Sequence, residues 1–318
     1  MKVSSIVPYD CLIIGAGPAG ISAAIYLARK GLDVVVITLD IGGQAVLSTD
    51  VDNYTGYTMI PGRDLVKRFE EHLRSFKIEV IYDKVKRIEK EKELFRIATE
   101  SCTYCAKTVI IATGKKPRSL KVPGEDKFIG KGIVYCPTCD APFFRNKPAV
   151  IIGGGNSALQ AILELSKFTK KIYVVNITSE LTGDDVLKSK VKKLPFLEVH
   201  NNCRVQAVKG KKSVESIEVM NIATKKKFEL KVNGVIVEIG LEPGLDFQLP
   251  KELKLNKKNE IDVDQNCYTN IHGLFAAGDI TDVKWKQIIV AAGEGAKAGL
   301  SAYDYLMRSK EFLDRKYG

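Results

Sequence analysis

The chain has 318 residues, 45% of them hydrophobic and 27% charged, with a formal net charge of +11. This composition excludes intrinsic disorder, the length exceeds the roughly 250 to 300 residues that one core holds, and no run reaches the ~18 consecutive apolar residues of a membrane-spanning helix. The positive charge is spread along the chain and interleaved with glutamate, as in E-K-E-K-E-L from Glu89, which argues for a solvated surface rather than a nucleic-acid partner.

The first elements in chain order are strand, glycine turn, helix and strand. D-C-L-I-I-G is a short apolar run ending at Gly15. The segment after it places Ile21, Ala24, Ile25 and Ala28 at helical spacing and stops at Gly31, and L-D-V-V-V-I-T is a second apolar strand. This is a βαβ unit of a buried parallel sheet. Gly15, Gly17 and Gly20 match G-x-G-x-x-G: the first permits the tight turn, the second lets a pyrophosphate approach the backbone, and the third lets helix and strand pack closely. An acidic residue is expected about 20 positions on, at the end of the second strand, to hold ribose hydroxyls, and Asp40 is the candidate.

Strand-like segments I-E-V-I-Y and T-V-I-I-A-T-G follow, and then the same grammar returns. P-A-V-I-I-G-G-G-N-S-A gives strand, glycine turn and helix, with Gly153, Gly155 and Ala158 in the G-x-G-x-x-A variant, and K-I-Y-V-V-N gives the next strand. Between Tyr173 and Leu187 there is no arginine or lysine, so a 2′-phosphate has no cationic partner and NADH is favoured over NADPH. Asn176 stands where an NADH site commonly carries a carboxylate, and Glu180 follows four residues later. Two strand-like runs, N-G-V-I-V-E-I-G and H-G-L-F-A-A-G-D, precede a terminal helix expected from about Lys286 to Arg308. Gly and Pro punctuate apolar runs near residues 113–118 and 239–244, where the lobe junctions are expected. The fold class is therefore α/β, with two Rossmann-like dinucleotide-binding domains.

Seven cysteines, an odd number, in a chain without an evident targeting segment do not make a structural disulfide framework, and a cytoplasmic location is expected. Cys102 and Cys105 lie in a β-like region, where positions i and i+3 point to opposite faces, so they are expected to be structural rather than zinc ligands; no metal site is expected. Cys11, Cys203 and Cys267 are isolated small apolar residues. Cys136 and Cys139 differ. They flank Pro137, which suits a turn entering a helix, where unpaired N–H groups favour a thiolate, and Asp140 next door can move the proton that thiol–disulfide exchange requires.

Together these motifs resemble the low-molecular-weight thioredoxin reductase family of flavoproteins over nearly the whole chain. The motifs are G-A-G-P-A-G at 15–20, G-G-Q at 42–44, D-N-Y-T-G at 52–56, I-I-A-T-G at 110–114, Y-C-P-T-C-D at 135–140, G-G-G-N-S-A at 153–158, and G-L-F-A-A-G-D at 273–279 followed by W-K-Q-I. G-E-G-A-K-A at 293–298 and T-G-D-D-V-L from Thr182 are similar to the flavoprotein subunit of alkyl hydroperoxide reductase.

The resemblance implies an FAD domain of residues 1–116 and 241–318, with a nicotinamide domain of residues 117–240 inserted in it. FAD is implied on Gly15, Gly17, Pro18, Ala19, Gly20 and Asp40, with Gly43, Gln44 and Asn53 near the flavin and Ala112, Thr113 and Gly114 beside them. Gly278 and Asp279 would meet the ribityl or pyrophosphate part, and Lys286, Gln287 and Ile288 the isoalloxazine. NAD(P)H, with NADH favoured, would lie on Gly153, Gly155, Asn156, Ser157 and Ala158. By position Cys139 would face the flavin, Cys136 would attack the partner and Asp140 would serve as acid–base group, with domain rotation presenting each in turn. A separate thioredoxin-like or glutaredoxin-like disulfide protein is the implied partner, and a homodimer the implied assembly. Two departures stand out: Ala141-Pro142 where the family has a glycine, and the missing basic cluster after Val175. A non-nicotinamide electron donor and a flavin-binding redox sensor without turnover remain alternatives.

Overall fold

The computed structural model describes residues 7–48, 51–169 and 171–317, apart from the side chains of Thr138, Cys139 and residues 309–317. The chain divides into two compact units, one of Met1–Lys116 with Pro243–Gly318 and one of Pro117–Glu242.

The first unit opens with strand β1 (Tyr9–Ala16), helix α1 (Pro18–Ala28), strand β2 (Val34–Ile41), helix α2 (Gly62–Ser75) and strand β3 (Glu79–Tyr82). An antiparallel meander follows: β4 (Val85–Glu91), β5 (Leu94–Thr99) and β6 (Thr103–Ile111). The sheet order is β3-β2-β1-β6-β5-β4, with β1 parallel to both β2 and β6. E-K-E-K-E-L, read as a solvated surface, supplies the end of β4 and its turn into β5; Ile88 is buried while Glu91 and Lys92 face solvent. Cys102 sits exposed in the turn before β6, and Cys105 is half-buried within it, opposite Arg96.

The chain then runs through β7 (Lys115–Pro117) into the second unit. Helix α3 (Glu125–Phe128), strand β8 (Ile133–Val134), the single turn α4 (Pro137–Asp140), strand β9 (Ala149–Ile152), helix α5 (Asn156–Leu165), strand β10 (Ile172–Val175), helix α6 (Asp185–Lys192) and strand β11 (Leu197–His200) come in order. An antiparallel sheet of β12 (Cys203–Lys209), β13 (Ser216–Asn221) and β14 (Lys227–Lys231) precedes β15 (Gly234–Val237). The parallel sheet has the order β11-β10-β9-β15-β8. Alternate residues of its central strands face opposite layers: Val150, Ile152, Val235 and Val237 pack on the antiparallel sheet, whereas Ile151 and Ile236 pack on α5 with Ala158 and Ile162. The result is helix, parallel sheet and antiparallel sheet in three layers.

The chain leaves by β16 (Leu241–Pro243), and the first unit is completed by β17 (Leu274–Ala276), which extends the sheet parallel to the end of β6, and by helix α7 (Ile288–Tyr317). The helix starts two residues later and runs further than the sequence pattern suggests. It lies along α1 with small residues at the seam. A Cβ on Gly295 would be 1.9 Å from the Ala19 carbonyl oxygen and one on Gly299 3.0 Å from that of Ala23, so the two helices run in the same direction and their N-termini point the same way.

Candidate functional site

The first glycine cradle is built by close contact. Gly15 has φ +102°, which a side chain rarely adopts, and a Cβ there would be 2.5 Å from the Ala112 carbonyl oxygen. A Cβ on Gly20 would be 1.9 Å from the Gly15 oxygen, so only glycine lets α1 sit this near β1. Gly17, the N-cap of α1, meets nothing within 4 Å where its Cβ would point, and no side chain caps the helix. The open space therefore faces the unpaired N–H groups of the first turn, a cradle for an anion. Gly43 and Gly278 border it: a Cβ on Gly43 would be 3.7 Å from Gly17 Cα and one on Gly278 2.9 Å from Ala19 Cβ. The structure thus brings Gly15, Gly17, Ala19, Gly20, Gly43, Ala112 and Gly278 together.

Beside this cradle stand a hydroxyl and a carboxylate that no protein group meets among the described residues. The Thr113 hydroxyl is buried without a hydrogen bond, and the half-buried Asp279 carboxylate, after β17, accepts none. Burial raises the Asp279 pKa against the opposing charges of Lys286 and Lys115. An open cradle at a helix N-terminus, a buried orphan hydroxyl and an unpartnered acid fit a dinucleotide with hydroxyl groups to donate. Asp40, exposed at the end of β2, accepts from the Gly43 N–H at 3.2 Å, and the Asn53 amide donates to Gln287 Oε1 at 3.0 Å just before α7. Gln44 lies half-buried in the short turn after Gly43, Gly114 follows Thr113, and Ile288 packs with Val51, Ile60 and Leu65.

Lys286 is committed to the protein. Its ammonium donates to the Thr281 oxygen at 2.6 Å and the Asp279 oxygen at 3.3 Å and stands 3.4 Å from Glu260, which uses its three N–H bonds. Glu260 is 4% exposed and also pairs with Lys115 at 2.8 Å and accepts from the Asn256 amide at 2.8 Å. Burial pushes its pKa up, but these hydrogen bonds and the two ammonium charges outweigh it and leave it at about 2. Glu294, also buried, reaches from α7 to accept the Gly278 N–H at 3.0 Å, and burial raises its pKa. Both glutamates hold the 278–286 loop in place. Neither was singled out for that role from sequence, because a single Glu in N-K-K-N-E-I or G-E-G carries no spacing signal; each is recognisable only once burial is known.

The second cradle has the same plan. Gly153 has φ +132° and a Cβ there would be 2.1 Å from the Glu238 carbonyl oxygen; Gly155, the N-cap of α5, is open; Ala158 is fully buried. Ser157 is exposed in the first turn, while the Asn156 amide is held by Asp184, donating to its carboxylate at 2.8 Å and accepting its N–H at 2.7 Å. Asn176 is 3% exposed and turned inward, donating to the Glu180 oxygen at 2.8 Å and Asn201 Oδ1 at 3.0 Å. It folds the loop after β10 and leaves Glu180 exposed there.

Cys136 is buried directly before α4, and the Asp140 N–H donates to the Cys136 oxygen at 3.1 Å, so both cysteine positions belong to one helical turn. The Cys139 side chain lies outside the described residues. At one turn α4 is too short for a full macrodipole, and what it offers at its start is the local N–H groups of that turn. Ala141 is buried and opens a 3-10 turn, Ala141–Phe144, with Pro142 in its second position, where a missing N–H costs nothing. The residue ahead of the pair is anchored: Tyr135 donates to the buried Glu125 at 2.7 Å, and Glu125 also accepts the N–H groups of Leu120 and Lys121 at 2.6 and 2.7 Å.

No described helix is long and apolar enough to cross a membrane. The chain is 39% identical over 304 residues to a protein named NADH dehydrogenase from Bacillus subtilis, and 38% identical over 304 residues to the F component of Staphylococcus aureus alkyl hydroperoxide reductase. Each match covers 95% of this chain but only 59% and 60% of those longer proteins. Among solved structures, thioredoxin reductase of Lactococcus lactis superposes with a TM-score of 0.82 at 32% identity, over 94% of this chain and 99% of that one. The sequence profile described as pyridine nucleotide-disulphide oxidoreductase matches residues 9–295. With the profile spanning both cradles and the cysteine turn, the chain belongs to the pyridine nucleotide-disulphide oxidoreductase family and has the thioredoxin reductase fold.

Proposed function

We propose that this protein is a protein-disulfide reductase that takes electrons from NADH and delivers them through FAD and the Cys136–Cys139 pair to a separate thioredoxin-like or glutaredoxin-like protein. The observation that carries this reading is the placement of both cysteine positions at one helical turn, Cys136 directly before α4 and Cys139 within it, in the unit that also holds the second cradle. The first unit is the FAD domain and the second the nicotinamide domain. FAD is held by Gly15, Gly17, Gly20, Gly43, Thr113 and Asp279, and the nicotinamide nucleotide by Gly153, Gly155 and the first turn of α5. Bound FAD supplies the exchange between a two-electron hydride donor and a dithiol.

The chain's own residues carry the rest. The Cys136 thiolate attacks one sulfur of the partner's disulfide; that S–S bond breaks as a mixed disulfide forms. Cys139 then attacks the Cys136 sulfur, forming the internal disulfide and releasing the second partner thiolate. Asp140 moves the protons that leave the two cysteines toward the departing partner thiolates. NADH is favoured because residues 174–187 contain no cation for a 2′-phosphate. We place the protein in the cytoplasm, where thiol pairs cycle without a standing disulfide framework, and as a homodimer, as the family resemblance implies.

Anaerobic stopped-flow reduction tests the donor. NADH at micromolar concentration should bleach the flavin absorbance, with NADPH about tenfold or more less efficient. Cys136→Ser should keep that bleaching and lose reduction of a thioredoxin disulfide; retained disulfide reduction would refute the mechanism. Failure of both nucleotides to bleach the flavin would turn the reading toward a non-nicotinamide donor.

A further inference from the structure

The parallel sheet of the second unit changes direction between β9 and β15. From β9 the chain moves through α5 to β10 and then β11, while β15 and β8 lie on the other side. In open parallel sheets a ligand occupies the crevice at this reversal, beyond the carboxyl ends of the two diverging strands. Gly153 follows β9 and Glu238 follows β15, and a Cβ on Gly153 would be 2.1 Å from the Glu238 carbonyl oxygen, so the two residues flank that crevice. The adenosine half of a dinucleotide belongs over the end of β10, with the pyrophosphate at the N-terminus of α5. The other half must then run toward β15.

Glu238 is the ionisable residue waiting there. Ile236 packs on α5, so Glu238, two residues on, lies on the same face of the sheet, and it is half-buried. Among the described residues no cation and no hydrogen-bond donor meets its carboxylate. From the surrounding elements, α5 contributes Glu164, β9 and β8 end in the apolar Ile152 and Val134, and α4, packed on α5, carries Asp140 after Cys136. Burial first, and the Glu164 charge second, raise Glu238 to a pKa of about 7. A carboxyl group without a protein partner, beside a nucleotide cradle, is a group kept for the ligand.

Resting on the reading that the second cradle takes NADH, we propose that Glu238 meets the nicotinamide half of the nucleotide and discriminates NAD+ from NADH by charge. The ionised carboxylate attracts the positively charged pyridinium of NAD+, whereas the neutral dihydropyridine of NADH gains nothing from it. NAD+ is therefore held more tightly as pH rises through about 7, where Glu238 ionises, and the attraction is lost as pH falls and the group protonates. The consequence is product inhibition that strengthens at alkaline pH.

Equilibrium binding to the FAD-loaded protein tests this with three probes that do not reduce flavin: NAD+, its neutral tetrahydronicotinamide analogue, and ADP-ribose. Between pH 6 and pH 8 the wild-type affinity for NAD+ should rise about tenfold relative to ADP-ribose, while the neutral analogue should not share the rise. In Glu238→Gln the rise should vanish and ADP-ribose should bind as before. An unchanged NAD+ slope in Glu238→Gln, or a flat wild-type profile with intact ADP-ribose binding, overturns the role of Glu238 and leaves the cradle assignment standing. Failure of ADP-ribose to bind the wild type overturns the nucleotide reading of the second cradle, and the proposal with it.

Discussion

The two cradles share a backbone plan and differ in what surrounds it. At the first, Gly20 is forced by the Gly15 oxygen, Asp40 stays exposed at the end of β2, and the bordering 278–286 loop is fixed by Glu260 and Glu294. At the second, alanine is tolerated at the third position, and the polar residue after the second strand, Asn176, is spent inside its own loop. The glycines therefore report that a phosphate-binding turn exists. What the turn selects is decided by whether the polar groups around it point outward or are used up by the protein.

The largest break in this comparison is Gly20→Ala. The new methyl has no room 1.9 Å from a carbonyl oxygen, and a loss of about 4 kcal/mol or more is expected, read as collapsed yield or a flavin-free protein. Next, Glu260→Ala strands two ammonium groups and should cost about 3 kcal/mol, measured by thermal or denaturant unfolding.

The same residue sets an acid response. The Glu260 pKa is depressed from 4.5 to about 2, so its stabilisation is complete above about 4.5 and disappears as pH falls toward 2. Glu238 has the opposite sign: raised from 4.5 to about 7, it favours the folded state below 4.5 and loses that contribution as pH rises to 7. Hydrogen exchange resolved by unit should show acid weakening the first unit around Glu260, and mild acid strengthening the second around β15.

A gentler comparison replaces the open glycines. Gly17→Ala and Gly155→Ala meet no protein atom, so folding should hold while nucleotide affinity falls about tenfold, for FAD in the first case and NADH in the second, by titration of the deflavinated protein and the holoprotein respectively. The smallest effect is Ala158→Gly, with a stability loss of about 1 kcal/mol from added backbone freedom within α5; a loss as large as that of Gly20→Ala would dissolve the contrast between the cradles.

The sequence carried the parallel cores well, because β1, β2, β9 and β10 are buried on both faces and appear as unbroken apolar runs. The antiparallel pieces were harder to read. Strands β4 and β12 each contain a register shift, between Val85 and Arg87 and between Val205 and Ala207, which interrupts the alternation that marks a one-sided strand. The cradle glycines and the cysteine turn were legible because backbone conformation restricts residue choice there. Glu125, Glu238, Glu260 and Glu294 were not, since a glutamate on the surface and one buried in a network look alike until the chain is folded.

Each unit closes on itself at the point where the chain passes to the other. In the first, the Gly244 N–H donates to the Gly114 oxygen at 2.9 Å; in the second, the Arg118 N–H donates to the Gly240 oxygen at 3.0 Å. Interrupting the first unit with an entire second one therefore adds no long loop to be closed in the folded state, since entry and exit are already neighbours. Either piece can be excised and rejoined by a short splice, which makes this chain a natural starting point for exchanging the inserted unit while leaving the interrupted one untouched.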